Sequence, residues 1–95
     1  MDQGNGVRPM DVRDAEQVGE LESICFSEPW SLPLIVSGLN SRLDTYFVYE
    51  KDGKILGYSV VRILADEGEI QRIAVLPAYR RQGIARKLMD AMMIF

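Results

Sequence analysis

The chain has 95 residues, of which 47% are hydrophobic and 26% are charged, so it has room for one small folded domain and not for two. Eleven Lys and Arg against fourteen Asp and Glu give a formal net charge of -3. This charge argues against binding to nucleic acid or to an anionic membrane through overall electrostatic attraction. A site for an anion would therefore have to be local.

The composition also bears on metals, disulfides and compartment. A single cysteine excludes an internal disulfide, and the absence of histidine excludes a His-containing zinc site, so we expect no metal. No apolar run approaches the roughly 20 residues of a membrane span, and the N-terminus lacks the basic and apolar regions of a secretory signal. We therefore expect a cytoplasmic protein with no membrane partner.

The first half of the chain predicts a short strand followed by two helices. Apolar residues 7–10 favour the strand. From residue 11 to 26, apolar residues recur every three or four positions, which is the period of a helix that buries one stripe. The stripe comprises Ala15, Val18, Leu21 and Ile24 or Cys25, and we place Asp14, Glu16, Glu20 and Glu22 on other faces. Ser31 is positioned to cap a second helix, with Pro33 in its first turn, that runs to about Leu43.

The second half predicts three strands and a last helix. Asp52 and Gly53 lie between two β-prone runs, residues 45–49 and 55–64, and such a dipeptide favours a tight hairpin turn. A second turn near residues 66–68 leads to a strand over residues 69–75. In that strand Ile70 has the opposite parity to Ile73 and Val75, which indicates a β-bulge. A helix then begins near Gly83.

The predicted order, β-α-α-β-β-β-α, indicates an α+β fold with a mainly antiparallel sheet. Phe95 ends an apolar helix without a capping Gly, a following Pro or a polar tail, so we expect residues 1–95 to be an incomplete domain. The last strand would then lie at an open sheet edge. Because an unpaired edge invites another chain, we expect a homo-oligomer.

One segment concentrates positive charge in an otherwise acidic chain. Between Leu76 and Met89 there are four basic residues and no acidic one: Arg80, Arg81, Arg86 and Lys87. They surround the point where a loop becomes a helix, and the first N–H groups of a helix can bind a phosphate. Gly83 would let the phosphate approach closely. The alternative interpretation is a solvated basic helix start.

The same segment resembles a known family. Residues 80–85, Arg-Arg-Gln-Gly-Ile-Ala, fit the Q/R-x-x-G-x-G/A motif of the GCN5-related N-acetyltransferases (GNAT), and residues 73–80 resemble that family's strand-to-loop segment. Residues 26–31, Phe-Ser-Glu-Pro-Trp-Ser, further resemble the RimI branch, the ribosomal-protein-alanine N-acetyltransferases. The resemblance runs from about Val7 to the end of the chain and covers the N-terminal half to two-thirds of the family's domain.

The resemblance implies the GNAT acyl-CoA N-acyltransferase fold and transfer of acetyl from acetyl-CoA to a protein N-terminal amine, for example on a ribosomal protein. It places the pantetheine arm along the bulged strand at Ile73, Ala74 and Val75. It places the pyrophosphate at the loop and helix start, which comprise Arg80, Arg81, Gln82, Gly83, Ile84, Ala85 and Arg86. The alternatives are a non-catalytic CoA-binding or self-associating short form, and a GNAT enzyme that acts on a small-molecule amine.

The resemblance assigns fewer of the catalytic residues than of the cofactor-binding residues. Acetyl transfer to a neutral amine needs a base for the amine proton and a donor for the departing thiolate. The Glu and Tyr suggested for these roles in the RimI branch lie beyond residue 95, so we expect negligible turnover by this chain alone. Glu69 is the best candidate base within the chain, and the alternative is a solvent-facing carboxylate at a strand start.

Three further residue types have structural interpretations. Cys25 is expected to be a small core residue on the first helix. Trp30 is either a packing residue at the start of the second helix or part of an acceptor groove. The methionines of the last helix, Met89, Met92 and Met93, are expected to be mostly core positions.

Overall fold

A computed structural model describes residues 6–94, which form four strands and three α-helices. In chain order they are β1 (Gly6–Pro9), α1 (Ala15–Cys25), α2 (Leu32–Leu39), β2 (Asp44–Lys51), β3 (Lys54–Leu64), β4 (Glu67–Val75) and α3 (Ile84–Ile94). Short 3-10 turns at Val12–Asp14 and Pro77–Tyr79 precede α1 and α3. The order confirms the prediction, and the end of the last helix at Phe95 lies outside the described residues.

The four strands form one sheet in the order β1-β2-β3-β4, and every neighbouring pair is antiparallel. This arrangement confirms the predicted α+β class. Helices cover both faces of the sheet, with α1 and α2 on one face and α3 on the other. β3 is the central strand of the core, since its residues 55–61 are all buried between the two helical layers.

Two tight turns connect the last three strands. The predicted hairpin turn is confirmed, with φ of 53° at Asp52 and 82° at Gly53. The second turn lies slightly earlier than predicted, at Ala65 and Asp66, where φ is 53° and 67°. At this turn the tip of the β3–β4 hairpin extends past the helices, and its residues 64–70 are all exposed.

The predicted bulge in β4 is present at Gln71. Val60 pairs with Arg72 and Val61 pairs with Ile70, so Gln71 is the extra residue on β4. The bulge shifts the pairing register by one residue. It thereby accounts for the change of parity between Ile70 and the apolar residues that follow it.

The helix boundaries differ from the predictions in two places. Residues 12–14 form a 3-10 turn instead of the first turn of α1, because the Asp14 carboxylate accepts a hydrogen bond from the Asp11 N–H at 2.9 Å. α2 ends at Leu39 rather than near Leu43, because a turn in which the Ser41 N–H donates to the Gly38 carbonyl closes it. The predicted cap is confirmed, since Ser31 Oγ accepts from the Leu34 N–H at 3.3 Å.

Several predicted exposures were wrong. Asp14 and Glu22, placed on faces of the first helix other than its apolar stripe, are 4% and 0% exposed because each forms an ion pair with an arginine from another element. The exposed Ile24 does not continue the apolar stripe, which Cys25 completes. Of the three methionines predicted as core residues, Met92 is buried, whereas Met89 and Met93 are exposed because they lie off the sheet-facing side of α3.

Candidate functional site

A cleft of about 340 Å³ opens where the end of β4 runs into the loop before α3. Eight of the ten predicted cofactor-binding residues line it: Ile73, Ala74, Val75, Arg80, Arg81, Gly83, Ile84 and Ala85. The other two, Gln82 and Arg86, are exposed beside it in the same loop and helix start. The opposite wall comes from the end of α1 and the 3-10 turn, through Cys25, Phe26 and Tyr79.

The loop backbone has the geometry of an anion site. φ is 66° at Arg81 and 81° at Gly83, which turns the chain sharply into α3, and an added Cβ at Gly83 would point into open space. The Lys87 N–H donates to the Gly83 carbonyl at 3.1 Å and begins the hydrogen bonding of α3. The N–H groups of residues 84–86 precede that bond, at the positive end of the helix dipole, where helix donors are available to a phosphate.

The basic side chains of the loop differ in orientation. Arg80 turns inward, since its Nε donates to the Val75 carbonyl at 3.0 Å and its Nη2 lies 3.7 Å from Cys25 Sγ. Arg80 therefore ties the loop to the end of β4. Arg81 and Arg86 are exposed and contribute positive charge at the mouth of the cleft.

The strand that lines the cleft is an edge strand among the described residues. β4 pairs with β3 on one side, and no strand within residues 6–94 pairs with its other side. Backbone N–H and C=O groups along such an edge can bond an extended, amide-bearing ligand as if it were a further strand. The segment from Ile73 to Val75 combines this edge with direct contact with the cleft.

Glu69, the predicted base, lies outside this cleft. It is exposed near the start of β4, pairs with Arg62 on β3, and its Oε1 accepts a hydrogen bond from Gln71 Nε2 at 2.7 Å. The bulge at Gln71 separates it from Ile73, where the cleft begins. A catalytic role for Glu69 stays a prediction.

A buried polar cluster beside the cleft was not predicted. Arg72 donates to both oxygens of Glu22, at 2.8 and 3.0 Å, and its guanidinium carbon lies over the rings of Phe26 and Trp30, 3.9 and 4.5 Å from their centroids. Glu22 also accepts hydrogen bonds from the Trp30 N–H at 2.7 Å and from the Tyr58 hydroxyl. We call these five residues, Glu22, Phe26, Trp30, Tyr58 and Arg72, the Arg72 cluster.

Contacts within the Arg72 cluster shift the pKa values of Glu22 and Tyr58. Burial by itself would raise the pKa of Glu22, but hydrogen bonds from Arg72, Trp30 and Tyr58 outweigh it and hold that pKa below its usual value. Burial and the neighbouring Glu22 carboxylate raise the pKa of Tyr58. Glu22 is therefore charged at pH 7, which suits its ion pair with Arg72.

One member of the Arg72 cluster had a signal in the sequence. Glu22 follows Val18 by four residues, so helical spacing places it on the buried stripe. Its partner Arg72 is 50 residues away, and nothing local in the sequence joins the two.

Solved structures with this fold include acetyltransferases and proteins that bind CoA. Ard1 from Thermoplasma volcanium superposes with a TM-score of 0.85 at 26% identity, over 93% of this chain and 60% of that one. A Mycobacterium tuberculosis protein solved in complex with CoA superposes with a TM-score of 0.77 at 23% identity, over 93% and 55%. The fold therefore places the chain in the structural class of the GNAT proteins.

Sequence comparison identifies the family. The chain belongs to the Acetyltransferase (GNAT) family, whose model matches residues 15–94. A Bacillus subtilis protein provisionally named ribosomal protein bS18-alanine N-acetyltransferase is 35% identical over 83 residues, which are 86% of this chain and 55% of that protein. The Escherichia coli ribosomal protein bS18-alanine N-acetyltransferase is 27% identical over 86 residues, 90% of this chain and 57% of that protein.

The chain thus spans about half the length of the curated relatives that it matches. None of the helices within residues 6–94 combines the length and the apolar character needed to cross a membrane.

Proposed function

We propose that this chain carries the acetyl-CoA-binding part of an N-acetyltransferase that acts on a protein N-terminal amine, such as the N-terminal alanine of a ribosomal protein. The observation that carries the proposal is the cleft, where an unpaired strand edge leads directly into a loop and helix start suited to a pyrophosphate. The names of the two bS18-alanine acetyltransferases support the acceptor. Their coverage, a little over half of each protein, supports a correspondence between this chain and part of a GNAT domain.

The proposed roles follow from the position of each group. The backbone of residues 73–75, apart from the Val75 carbonyl that accepts from Arg80, would bond the amides of the pantetheine arm. The N–H groups of residues 81–86 would bond the pyrophosphate. In the reaction, a neutral amine attacks the thioester carbonyl, a C–N bond forms, the C–S bond breaks and CoA leaves as the thiolate. A base takes the proton from the amine, and Glu69 is the candidate that this chain offers.

Thermal unfolding with and without excess acetyl-CoA tests the cofactor site. A ligand at 100 times its dissociation constant adds about 2.7 kcal/mol to the free energy of unfolding, or roughly 10 °C in Tm for a small domain. We expect a rise of this size for the wild type. Arg81→Glu should reduce it, because the substitution places a negative charge beside the pyrophosphate.

Arg42→Glu is the matched control for the charge reversal. Arg42 is also exposed but lies in the α2–β2 connection, away from the cleft, so its substitution changes the net charge equally and should keep the full rise in Tm. A folded wild type whose Tm does not change with acetyl-CoA would contradict the proposed site. Equal loss in both variants would contradict the placement of the pyrophosphate.

The open side of β4 favours a second candidate, a form that associates with another copy through this strand. Among the described residues no strand covers that edge, and edge strands readily pair with other chains. Light scattering should then give a dimer or larger mass. Because the edge would also bond the pantetheine arm, excess acetyl-CoA should lower that mass, and a monomer at high concentration would contradict self-association.

A further inference from the structure

The α1–α2 connection, residues 26–31, separates two surface pockets, and we call this segment the wall. Phe26 lines the cleft described above, whereas Trp30 lines a second groove of about 300 Å³ on the α2 side of the sheet. Gln71 and Ile73 of β4 show the same division, because Gln71 lines the groove and Ile73 lines the cleft. Arg72 lies between these two residues, at the base of the wall.

Arg72 and its partner Glu22 supply the polar contacts that hold this wall against β4. The guanidinium contacts the rings of Phe26 and Trp30, and its Nη2 donates to the Glu28 carbonyl at 3.3 Å. Glu22 accepts from the Trp30 N–H at 2.7 Å. The planar guanidinium can stack on both rings and form the two-pronged bond to Glu22 at once, which a lysine cannot do.

A buried ion pair is by itself weak evidence for stability, because desolvation offsets its attraction. The geometry here points to a positional role instead, since the guanidinium contacts three residues of the wall, Phe26, Glu28 and Trp30, besides its bond to Glu22 in α1. We propose that Arg72 is a positioning residue that holds residues 26–30 at a set distance from β4 and thereby fixes the wall of the cofactor cleft. The link to the cofactor rests on the proposed function.

Trp30 provides a direct readout, because it is the only tryptophan of the chain and stacks on Arg72. We expect Arg72→Lys to keep the charge but release the wall, which should increase acrylamide quenching of Trp30 and shift its emission to the red in the folded protein. The dissociation constant for acetyl-CoA should rise several-fold, because Phe26 moves with the wall. A role in stability alone would lower Tm without changing quenching below the transition.

Arg8→Lys is the matched control. Arg8 also makes a two-pronged bond to a carboxylate, Asp14, at 2.8 and 2.9 Å, but it lies on β1 and lines neither the cleft nor the groove beside Trp30. Its substitution should leave the fluorescence and the binding of acetyl-CoA as in the wild type. Unchanged Trp30 quenching in a folded Arg72→Lys variant, or equal changes in both variants, would overturn the proposal.

Two further measurements keep the test decisive. If Arg72→Lys does not fold, the NMR signal of the Arg72 Nε–H in the wild type decides. Its hydrogen bond to Glu22 should slow its exchange with water, and the contact of the guanidinium with Phe26 and Trp30 should give nuclear Overhauser effects to both rings. A fast-exchanging signal without these effects would overturn the proposal. If the wild type does not bind acetyl-CoA, the proposed function fails, but the comparison of Trp30 quenching still decides the role of Arg72.

Discussion

At the scale of single residues, two glycines allow the anion loop to be tested against a matched partner. Gly83 in the loop and Gly53 in the β2–β3 turn have φ of 81° and 82°, and an added Cβ would meet no atom within 4 Å at either position. They differ in location, because Gly83 lines the cleft and Gly53 does not. A side chain at either position should therefore cost a similar amount of backbone strain. Only a side chain at position 83 should also affect the binding of a ligand in the cleft.

We predict that Gly83→Ala and Gly53→Ala each lower the free energy of unfolding by about 1–2 kcal/mol, because an L-residue in the left-handed region is strained. Only Gly83→Ala should weaken acetyl-CoA binding, since its Cβ would keep the pyrophosphate away from the loop N–H groups. Calorimetric titration of both variants measures this. Similar dissociation constants for the two would count against close approach of a phosphate at Gly83.

At the scale of elements, the packing of α3 on the sheet depends on the absence of a side chain at Gly57. A Cβ there would lie 2.8 Å from the Ala74 carbonyl oxygen, 3.2 Å from Leu88 and 3.3 Å from Ile84. Ala74 belongs to β4 and the other two residues to α3. Gly57 thus sets the distance between the central strand and the helix whose start forms the anion loop.

We predict that Gly57→Ala destabilises the protein by about 1–3 kcal/mol, as overpacking of a rigid core does. The control is Gly19→Ala in α1, where the Cβ would meet only Leu32, at 4.0 Å. That change should stabilise the protein by about 0.5–1 kcal/mol, because alanine favours a helix more than glycine does. Urea denaturation measures both, and a neutral Gly57→Ala would mean that α3 can move off β3 at little cost.

At the scale of the whole molecule, two buried carboxylates connect stability to pH. The hydrogen bond from Arg8 lowers the pKa of Asp14 despite its burial, and the pKa of Glu22 is lowered as described above. A carboxyl with a depressed folded pKa stabilises the protein fully above its unfolded pKa, and this contribution is lost as the pH falls through the folded value. Stability from both groups is therefore present at pH 7 and lost in acid.

We predict that Glu22→Gln lowers Tm strongly at pH 7, because it leaves the half-buried charge of Arg72 without its partner carboxylate. The difference from the wild type should narrow as the pH falls below about 4.5, the usual Glu value. Glu20→Gln on the exposed side of α1 should follow the wild type at every pH. Thermal unfolding from pH 7 to pH 3 checks this, and a constant difference would show that Glu22 does not titrate with folding.

The sequence predicts much of this molecule because many of its determinants are local. The hairpin turn at Gly53, the cap at Ser31 and the bulge near Ile70 each follow from a few adjacent residues. The basic loop before α3 is likewise predicted from adjacent residues, and in the structure it lines the cleft. Helical spacing indicates the buried side for Glu22, but no local pattern identifies Arg72, the partner from across the fold that compensates the burial of this charge.

The exposed tip of the β3–β4 hairpin has a consequence for hydrogen exchange. Leu64 and Ile70 are 59% and 47% exposed there, so opening the tip uncovers little apolar surface that is not already in water. Amides near the tip should exchange by local fraying, whereas those near Tyr58, on the strand β3 that is paired on both sides, should exchange only when the domain unfolds. The two ends of the β3–β4 hairpin therefore belong to different exchange classes, and the tip can open while the cleft stays formed.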